Sequence, residues 1–230
     1  MNFRYANRTD FIVAGACALS LIIFAINTRL DSVVPLYING IILPVVFIYW
    51  VLRRDAAGIL KRSLIIGAIG GVSYTFVDKL FVETGVITYL RSEDLDIFAT
   101  PVSVVLIWIY CITVAIYLYQ RLRSVFGRFY IPAALTGAGA FISSIVLNQL
   151  GDQARLWVWN IGVPSSPAIG STPLFVPVAL FVTFFLSPYI IGGQRITERI
   201  RIQENTIAAG LRCAIILAMT IFLSSRIFIR

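Results

Sequence analysis

Three acidic residues, Asp78, Glu83 and Asp152, lie at the ends of long apolar stretches of this sequence. An apolar site favours the neutral form of a carboxyl group, so such a residue can keep its proton near neutral pH. A positioned carboxylic acid can protonate an alkene or an epoxide, and a second carboxylate can restore the proton or orient a water molecule. We therefore take these three residues as candidate catalytic groups.

Aromatic and amide side chains close to these acids are the candidate substrate-binding groups. The π face of a Tyr or Trp ring can stabilise a carbocation formed by protonation. For the two tryptophans among them, the alternative interpretation is an aromatic belt at the membrane interface. The candidates are Tyr74, Tyr89, Asn148, Trp157, Trp159 and Asn160.

The residue inventory excludes several kinds of cofactor chemistry. There is no histidine, which removes imidazole-based zinc and haem sites and Ser–His hydrolases. The three cysteines lie far apart within apolar stretches and are expected to be buried side chains, not metal ligands. The acidic run Glu93-Asp94-Leu-Asp96 is too sparse for a metal cage, and we expect a solvated loop there. We expect no metal and no cofactor.

The composition defines the medium in which these residues work. The chain has 230 residues, of which 59% are hydrophobic and 13% charged, and its mean hydropathy is +0.88. A soluble domain carries about 25% charged residues, so soluble enzymes and nucleic-acid binders are excluded. Seven segments are apolar and long enough to cross a bilayer. They are residues 11–28, 33–52, 64–90, 98–119, 129–150, 174–193 and 208–228.

Basic residues predict the orientation of these segments. Thirteen Lys and Arg residues lie in the N-terminus and in the second, fourth and sixth connections between segments, which share one side of the membrane. Five lie in the first, third and fifth connections and the C-terminus, on the other side, and Lys79 lies inside a segment. Because cytoplasmic loops are enriched in Lys and Arg, the N-terminus is expected in the cytoplasm and the C-terminus outside. The predicted fold is all-α: a polytopic seven-transmembrane-helix bundle forming one domain over residues 1–230. The expected location is a prokaryotic plasma membrane or an equivalent membrane.

The third segment has a face of small and polar residues. Gly67, Gly71, Tyr74 and Asp78 share one helical face, which is expected to point into the bundle because small residues allow close helix contact. Lys79 and Glu83 lie four residues apart on a neighbouring stripe, where they are expected to pair. Asp78 has an alternative role in helix association alone.

Residues 64–119 and 129–193 share a pattern that suggests an internal parallel repeat. Asp78 and Tyr89 are eleven positions apart, as are Asn148 and Trp159. In each half a polar helix end precedes an aromatic-containing loop and a helix that opens near a proline. Such a repeat gathers Asp78, Glu83, Asn148 and Asp152 at one pocket.

The motifs of both halves resemble those of small integral-membrane proteins of carotenoid and isoprenoid metabolism. The resemblance covers residues 70–190 and rests on Thr84-Gly-Val-Ile-Thr-Tyr89, Thr100-Pro101, Trp157-Val-Trp159-Asn160 and Thr172-Pro-Leu-Phe-Val-Pro177. It is a likeness to carotenoid hydratases and to membrane-embedded lycopene and terpene cyclases, and implies a cofactor-independent isoprenoid cyclase or hydratase. The chain departs from lycopene cyclases in lacking a Pro-x-Glu-Glu signature, since no carboxylate follows Pro101.

Two other functions fit the sequence. The chain could be a non-catalytic subunit of a larger membrane complex, because it offers aromatic spans and little soluble mass. It could also be a small transporter in which Asp78 and Lys79 couple ions and prolines act as hinges. Expected partners are membrane lipid, an apolar isoprenoid-type ligand and a second membrane protein, with no nucleic acid.

Overall fold

The computed structural model describes residues 8–30, 32–54, 58–91, 94–126, 128–160, 167–192 and 205–229. Within these ranges it contains eight helices and six short strands. Six helices are long and apolar enough to cross a membrane, which indicates a multi-pass membrane protein. These six are α1 (Arg8–Leu30), α2 (Val34–Arg54), α3 (Ile59–Glu83), α4 (Val102–Phe126), α5 (Tyr130–Gln153) and α8 (Thr206–Phe228).

The predicted segment 174–193 is not one long helix. It folds as α6 (Phe175–Phe185) and α7 (Ser187–Ile191), with a break at Leu186. Pro188 has no N–H to offer the carbonyl of Phe184, four residues earlier, and the Ser187 hydroxyl bonds to that carbonyl at 2.6 Å instead. Six of the seven predicted segments are thus confirmed as long helices.

The strands lie at the end of the bundle where α3 and α5 finish, which we call the strand end. Strand β1 pairs with β4 in antiparallel register, and β2–β3 and β5–β6 are two small hairpins. Their bounds are β1 (Ile87–Tyr89), β2 (Asp96–Ile97), β3 (Thr100–Pro101), β4 (Trp157–Trp159), β5 (Ala168–Ile169) and β6 (Thr172–Pro173).

These strands correct two predicted helix boundaries. The third segment, expected to reach residue 90, ends as a helix at Glu83, because the chain turns at Gly85 with φ 71°. The fourth segment, expected to start at residue 98, becomes helical only at Val102, after the β2–β3 hairpin. Apolar composition alone does not separate such short buried strands from helix.

Helix α3 lies against α4 through the small residues of its inward face. A Cβ atom on Gly67 would come within 2.7 Å of the Ile109 carbonyl oxygen, and one on Gly71 within 2.7 Å of the Ile109 amide nitrogen. Tyr74 and Asp78 are buried on the same helix. The predicted inward face of α3 is therefore confirmed, and it brings Asp78 into the interior.

The chain order α3–β1–β2–β3–α4 has a counterpart in α5–β4–β5–β6–α6. Where β1 and β4 pair, Thr88 faces Val158 at the centre of the register. The turns before these strands match as well, since Gly85 and Arg155, seventy positions apart, both adopt positive φ. Each of the two turns is followed by one of the strands that pair in antiparallel register, β1 after Gly85 and β4 after Arg155.

Candidate active site

Asp78 is buried at the strand end with 1% of its surface exposed. Its Oδ2 atom accepts hydrogen bonds from the Tyr89 hydroxyl at 2.6 Å and the Thr100 hydroxyl at 2.8 Å. Tyr74, one turn earlier on α3, is also buried and lines the same cavity as Asp78. No Lys or Arg among the described residues forms an ion pair with Asp78. The acid is held by neutral hydroxyl groups alone.

The elements that place these donors differ. Tyr74 and Asp78 belong to one helix, whereas Tyr89 comes from β1 and Thr100 from β3. Strand β1 is fixed by its pairing with β4, and β3 by its pairing with β2. The short strands therefore serve to bring two hydroxyl groups onto a carboxyl group that lies on α3.

A cavity of about 370 Å³ extends from Asp78 into the bundle. That volume is within the range of small-molecule binding sites. Its wall is formed by side chains of α1, α3, α4, α5, α6 and α8 and of strands β1 and β4. Asp78 is the only acidic residue among the described residues that line it. The cavity is therefore an apolar space with a carboxyl group at one end.

Aromatic rings form much of the wall near this end. The Tyr74 and Trp108 ring centroids are 4.0 Å apart, and the Trp159 ring meets Phe175 edge-on at 5.6 Å. All four residues line the cavity. Aromatic faces placed like this can stabilise a cation that forms beside Asp78.

Asn148 organises the two tryptophans of β4. Its Oδ1 atom accepts hydrogen bonds from the indole N–H groups of Trp157 at 3.2 Å and Trp159 at 2.8 Å. Its Nδ2 atom donates to the Ser144 carbonyl oxygen at 2.8 Å. The amide is thus occupied by the protein, and both indoles are turned into the cavity wall and not outward to the interface.

The other predicted site residues lie outside the cavity wall. Glu83 pairs with Lys79 at 3.5 Å, as expected from their spacing, and its side chain is 56% exposed. Asp152 is half-buried on α5. Asn160 is exposed and donates to the Gly85 carbonyl oxygen at 3.0 Å and to the Thr88 hydroxyl at 2.5 Å. The structure does not bring Glu83 or Asp152 together with Asp78 at the cavity.

A second buried acid was not recognised from the sequence. Asp94, expected in a solvated loop, is 9% exposed and accepts hydrogen bonds from the hydroxyl groups of Tyr37 and Ser103. It fixes the segment before β2 to α2 and α4 and does not line the cavity. Glu93 of the same acidic run lies outside the described residues.

Three site residues were also missed: Thr100, Trp108 and Phe175. Thr100 belongs to the Thr-Pro motif described from the sequence. A polar residue directly before the proline of β3 is the signal that could have identified it. Trp108 and Phe175 lie within apolar segments, where nothing in the local pattern separates cavity-lining rings from lipid-facing ones.

The pKa of the Tyr89 hydroxyl, on strand β1, differs from the usual value of tyrosine. Removal from water raises the pKa of its hydroxyl well above the usual value, and the neighbouring Asp78 adds to the increase. The hydroxyl therefore remains a hydrogen-bond donor to Asp78 across the physiological pH range.

Other polar contacts lie at the opposite end of the bundle. Asp10 pairs with Arg121 at 2.9 Å and accepts a hydrogen bond from the Tyr117 hydroxyl at 2.7 Å.

In the described part of the chain, no group of three or more Cys, Asp and Glu residues is placed to hold a metal ion. The structure thus indicates a multi-pass membrane protein in which, among the residues described, Asp78 is the acid on the wall of an apolar internal cavity.

Comparison with protein-family models, with curated proteins and with solved structures gives no match for this chain.

Proposed function

We propose that this protein is a membrane-embedded enzyme that cyclises or hydrates an isoprenoid-type substrate, with Asp78 as the general acid. The observation that carries the proposal is a buried carboxyl group, unpaired with any described cation, on the wall of an apolar cavity. A buried carboxylate without a cation is costly in a membrane span, whereas its neutral form is not. The site therefore favours the protonated acid that alkene protonation requires.

The reaction follows from this arrangement. The π electrons of a carbon–carbon double bond take the proton of Asp78, leaving a carboxylate and a carbocation on the more substituted carbon. In a cyclisation, a second double bond of the same molecule attacks the cation, and a proton lost to the carboxylate restores the acid. In a hydration, water attacks and supplies that proton.

The surrounding groups have distinct roles in this proposal. Oδ2 is occupied by Tyr89 and Thr100, so the transferable proton is assigned to Oδ1. The rings of Tyr74, Trp108 and Trp159 stabilise the cation. No second carboxylate lines the described cavity wall, so Asp78 itself recovers the proton. Glu83 and Asp152 have no place in the step.

The same proposal assigns the membrane arrangement. Helices α6 and α7 together form the seventh crossing, with the N-terminus in the cytoplasm and the C-terminus outside. The strand end then faces the outer side of a prokaryotic plasma membrane or an equivalent membrane. Asp78 lies five residues, or about 7.5 Å, below the end of α3 on that side.

The test is turnover in deuterated water. The purified protein in lipid nanodiscs is supplied with acyclic isoprenoids, including lycopene and geranylgeraniol, and products are identified by mass spectrometry. Protonation by an Asp78 carboxyl group that has exchanged with the solvent adds one deuterium to the product. Asp78→Asn is expected to reduce the rate by about 100-fold or more, in the range of general acid catalysis, while Glu83→Gln and Asp152→Asn retain it. Full activity of Asp78→Asn would overturn the proposal.

A further inference from the structure

The cavity has an opening on the side of the bundle. Three of its lining residues are also exposed: Leu21 on α1 by 47%, Leu118 on α4 by 38%, and Ser143 on α5. Each lies at least eight residues, or about 12 Å, from either end of its helix. Because these helices have the length and composition of membrane spans, the medium at this opening is lipid.

The edge of the opening on α5 is made of small residues. Gly139 lies one turn from Ser143 and also lines the cavity. A Cβ atom on Gly139 would find no neighbouring heavy atom within 4 Å, so the space in front of it is empty. The opening therefore lies between α1 and α5, in front of α4, and a bulky side chain at residue 139 or 143 would narrow it.

The cavity is long as well as apolar. Along α4 its lining residues run from Val104 to Leu118, fourteen positions, which is about 21 Å of helix. An extended hydrocarbon chain advances roughly 1.25 Å for each carbon–carbon bond of about 1.5 Å. The length of the cavity thus corresponds to about 17 bonds, or about four isoprene units.

We propose that the ligand is a membrane-dissolved prenyl chain of about four isoprene units, or one arm of that length in a larger isoprenoid. It enters sideways from the bilayer between α1 and α5 and lies along α4 with one end at Asp78. The identity of the chain as a prenyl group and the reactive role of its end rest on the proposed function, whereas the entry route and the chain length do not.

The experiment measures binding separately from turnover. Radiolabelled geranylgeraniol, a chain of four isoprene units, is titrated onto the protein in nanodiscs, and bound label is counted after gel filtration. Gly139→Trp is expected to weaken binding at least tenfold. The matched control is Gly15→Trp on α1, an exposed glycine that also has empty space around it but does not line the cavity; it is expected to bind within twofold of wild type.

Two further measurements keep the outcome clear. Ser143→Trp places the ring at an exposed position of the opening, and it is expected to weaken binding as Gly139→Trp does. Among unlabelled competitors, affinity is expected to rise from geraniol through farnesol to geranylgeraniol and then level off for a five-unit alcohol. Undiminished binding by both Trp variants, equal affinity for all chain lengths, or no binding by wild type would overturn the proposal.

The Asp78→Asn variant separates this inference from the proposed function. It is expected to bind geranylgeraniol within twofold of wild type, because the prenyl chain contacts the apolar wall. Normal binding without turnover supports both ideas, whereas normal binding with full turnover leaves the entry route supported and overturns only the role of Asp78. Loss of binding by the Gly139 and Ser143 variants supports the route in either case.

Discussion

Asp78 and Asn148 hold equivalent positions in the two halves of the molecule. Each lies five residues before the last residue of its helix, and each accepts a hydrogen bond from the aromatic residue eleven positions further along. The Tyr89 hydroxyl donates to Asp78 at 2.6 Å, and the Trp159 indole donates to Asn148 at 2.8 Å. One arrangement of helix end and strand thus holds an acid in one half and an uncharged amide in the other.

This relationship predicts a structural role for Asn148. Replacing it with leucine removes the acceptor of two indole N–H groups at the cavity, and an unsatisfied buried donor costs about 1–3 kcal/mol. We expect Asn148→Leu to lower the free energy of unfolding by an amount in that range and to weaken the near-UV circular dichroism of the tryptophans. Reversible unfolding in mixed micelles, followed by tryptophan fluorescence, measures the change.

Asn148→Asp is the matched control for this prediction. It keeps an oxygen acceptor for both indoles, loses the donation to Ser144 and adds an ionisable carboxyl group at a buried position. We expect it to keep the near-UV signal of the wild type better than the leucine variant does. Wild-type stability and signal in Asn148→Leu would show that Asn148 does not hold the tryptophans.

Much of the helical fold was predictable because membrane spans carry a strong local signal, a long run of apolar residues. The inward face of α3 was predictable as well, since its glycines recur at helical spacing. The ends of the spans were less predictable. The break at Leu186 depends on Pro188 and Ser187, and the strands after Glu83 and before Val102 depend on pairing with distant residues.

For the site, the acid and four of its aromatic neighbours were predictable from type and spacing, whereas Trp108, Phe175 and the grouping of these residues were not. Glu83 is five residues from Asp78 and lies on another face of α3, whereas Asp152 is one turn from Asn148 on α5; both lie outside the cavity wall. Thr100 reaches Asp78 through a hairpin twenty-two residues away. Contacts of that kind arise from tertiary pairing, which local patterns do not contain.

The Tyr89–Asp78 bond predicts a specific dependence of stability on pH. The pKa of the Tyr89 hydroxyl is raised by removal from water and by Asp78, whereas in the unfolded chain tyrosine titrates at its usual value of about 10. Below that pH both states keep the proton and the contribution of Tyr89 is constant. Above it the unfolded chain ionises first, so the contribution falls as pH rises towards the folded-state pKa.

Comparison of wild type with Tyr89→Phe tests this dependence. The melting temperature of the wild type is expected to exceed that of Tyr89→Phe by a constant amount between pH 6 and about 9, reflecting the lost hydrogen bond, and the difference should shrink above about 10. Thr100→Val removes the other hydrogen bond to the same oxygen without removing a titrating group. Its difference from wild type should stay constant across the alkaline range, and equal narrowing in both variants would contradict the assignment to Tyr89.

Close contact between α3 and α4 predicts that Gly71 cannot be enlarged. A Cβ atom there would lie 2.6 Å from the Ile109 Cγ1 atom and 2.7 Å from its backbone nitrogen, and backbone cannot move aside as a flexible side chain can. Gly71→Ala is therefore expected to push α3 from α4 and lower the free energy of unfolding by about 1–3 kcal/mol, as overpacking does. Because Tyr74 and Asp78 continue this face of α3, the cavity should be distorted and geranylgeraniol binding weakened in the same variant.

Gly15→Ala on α1 is the control: its new methyl group meets empty space, and helix propensity favours alanine by about 0.5–1 kcal/mol. Titration with sodium dodecyl sulfate in mixed micelles compares the two variants, and a Gly71→Ala protein as stable as Gly15→Ala would mean that α3 and α4 are not in backbone contact at this position.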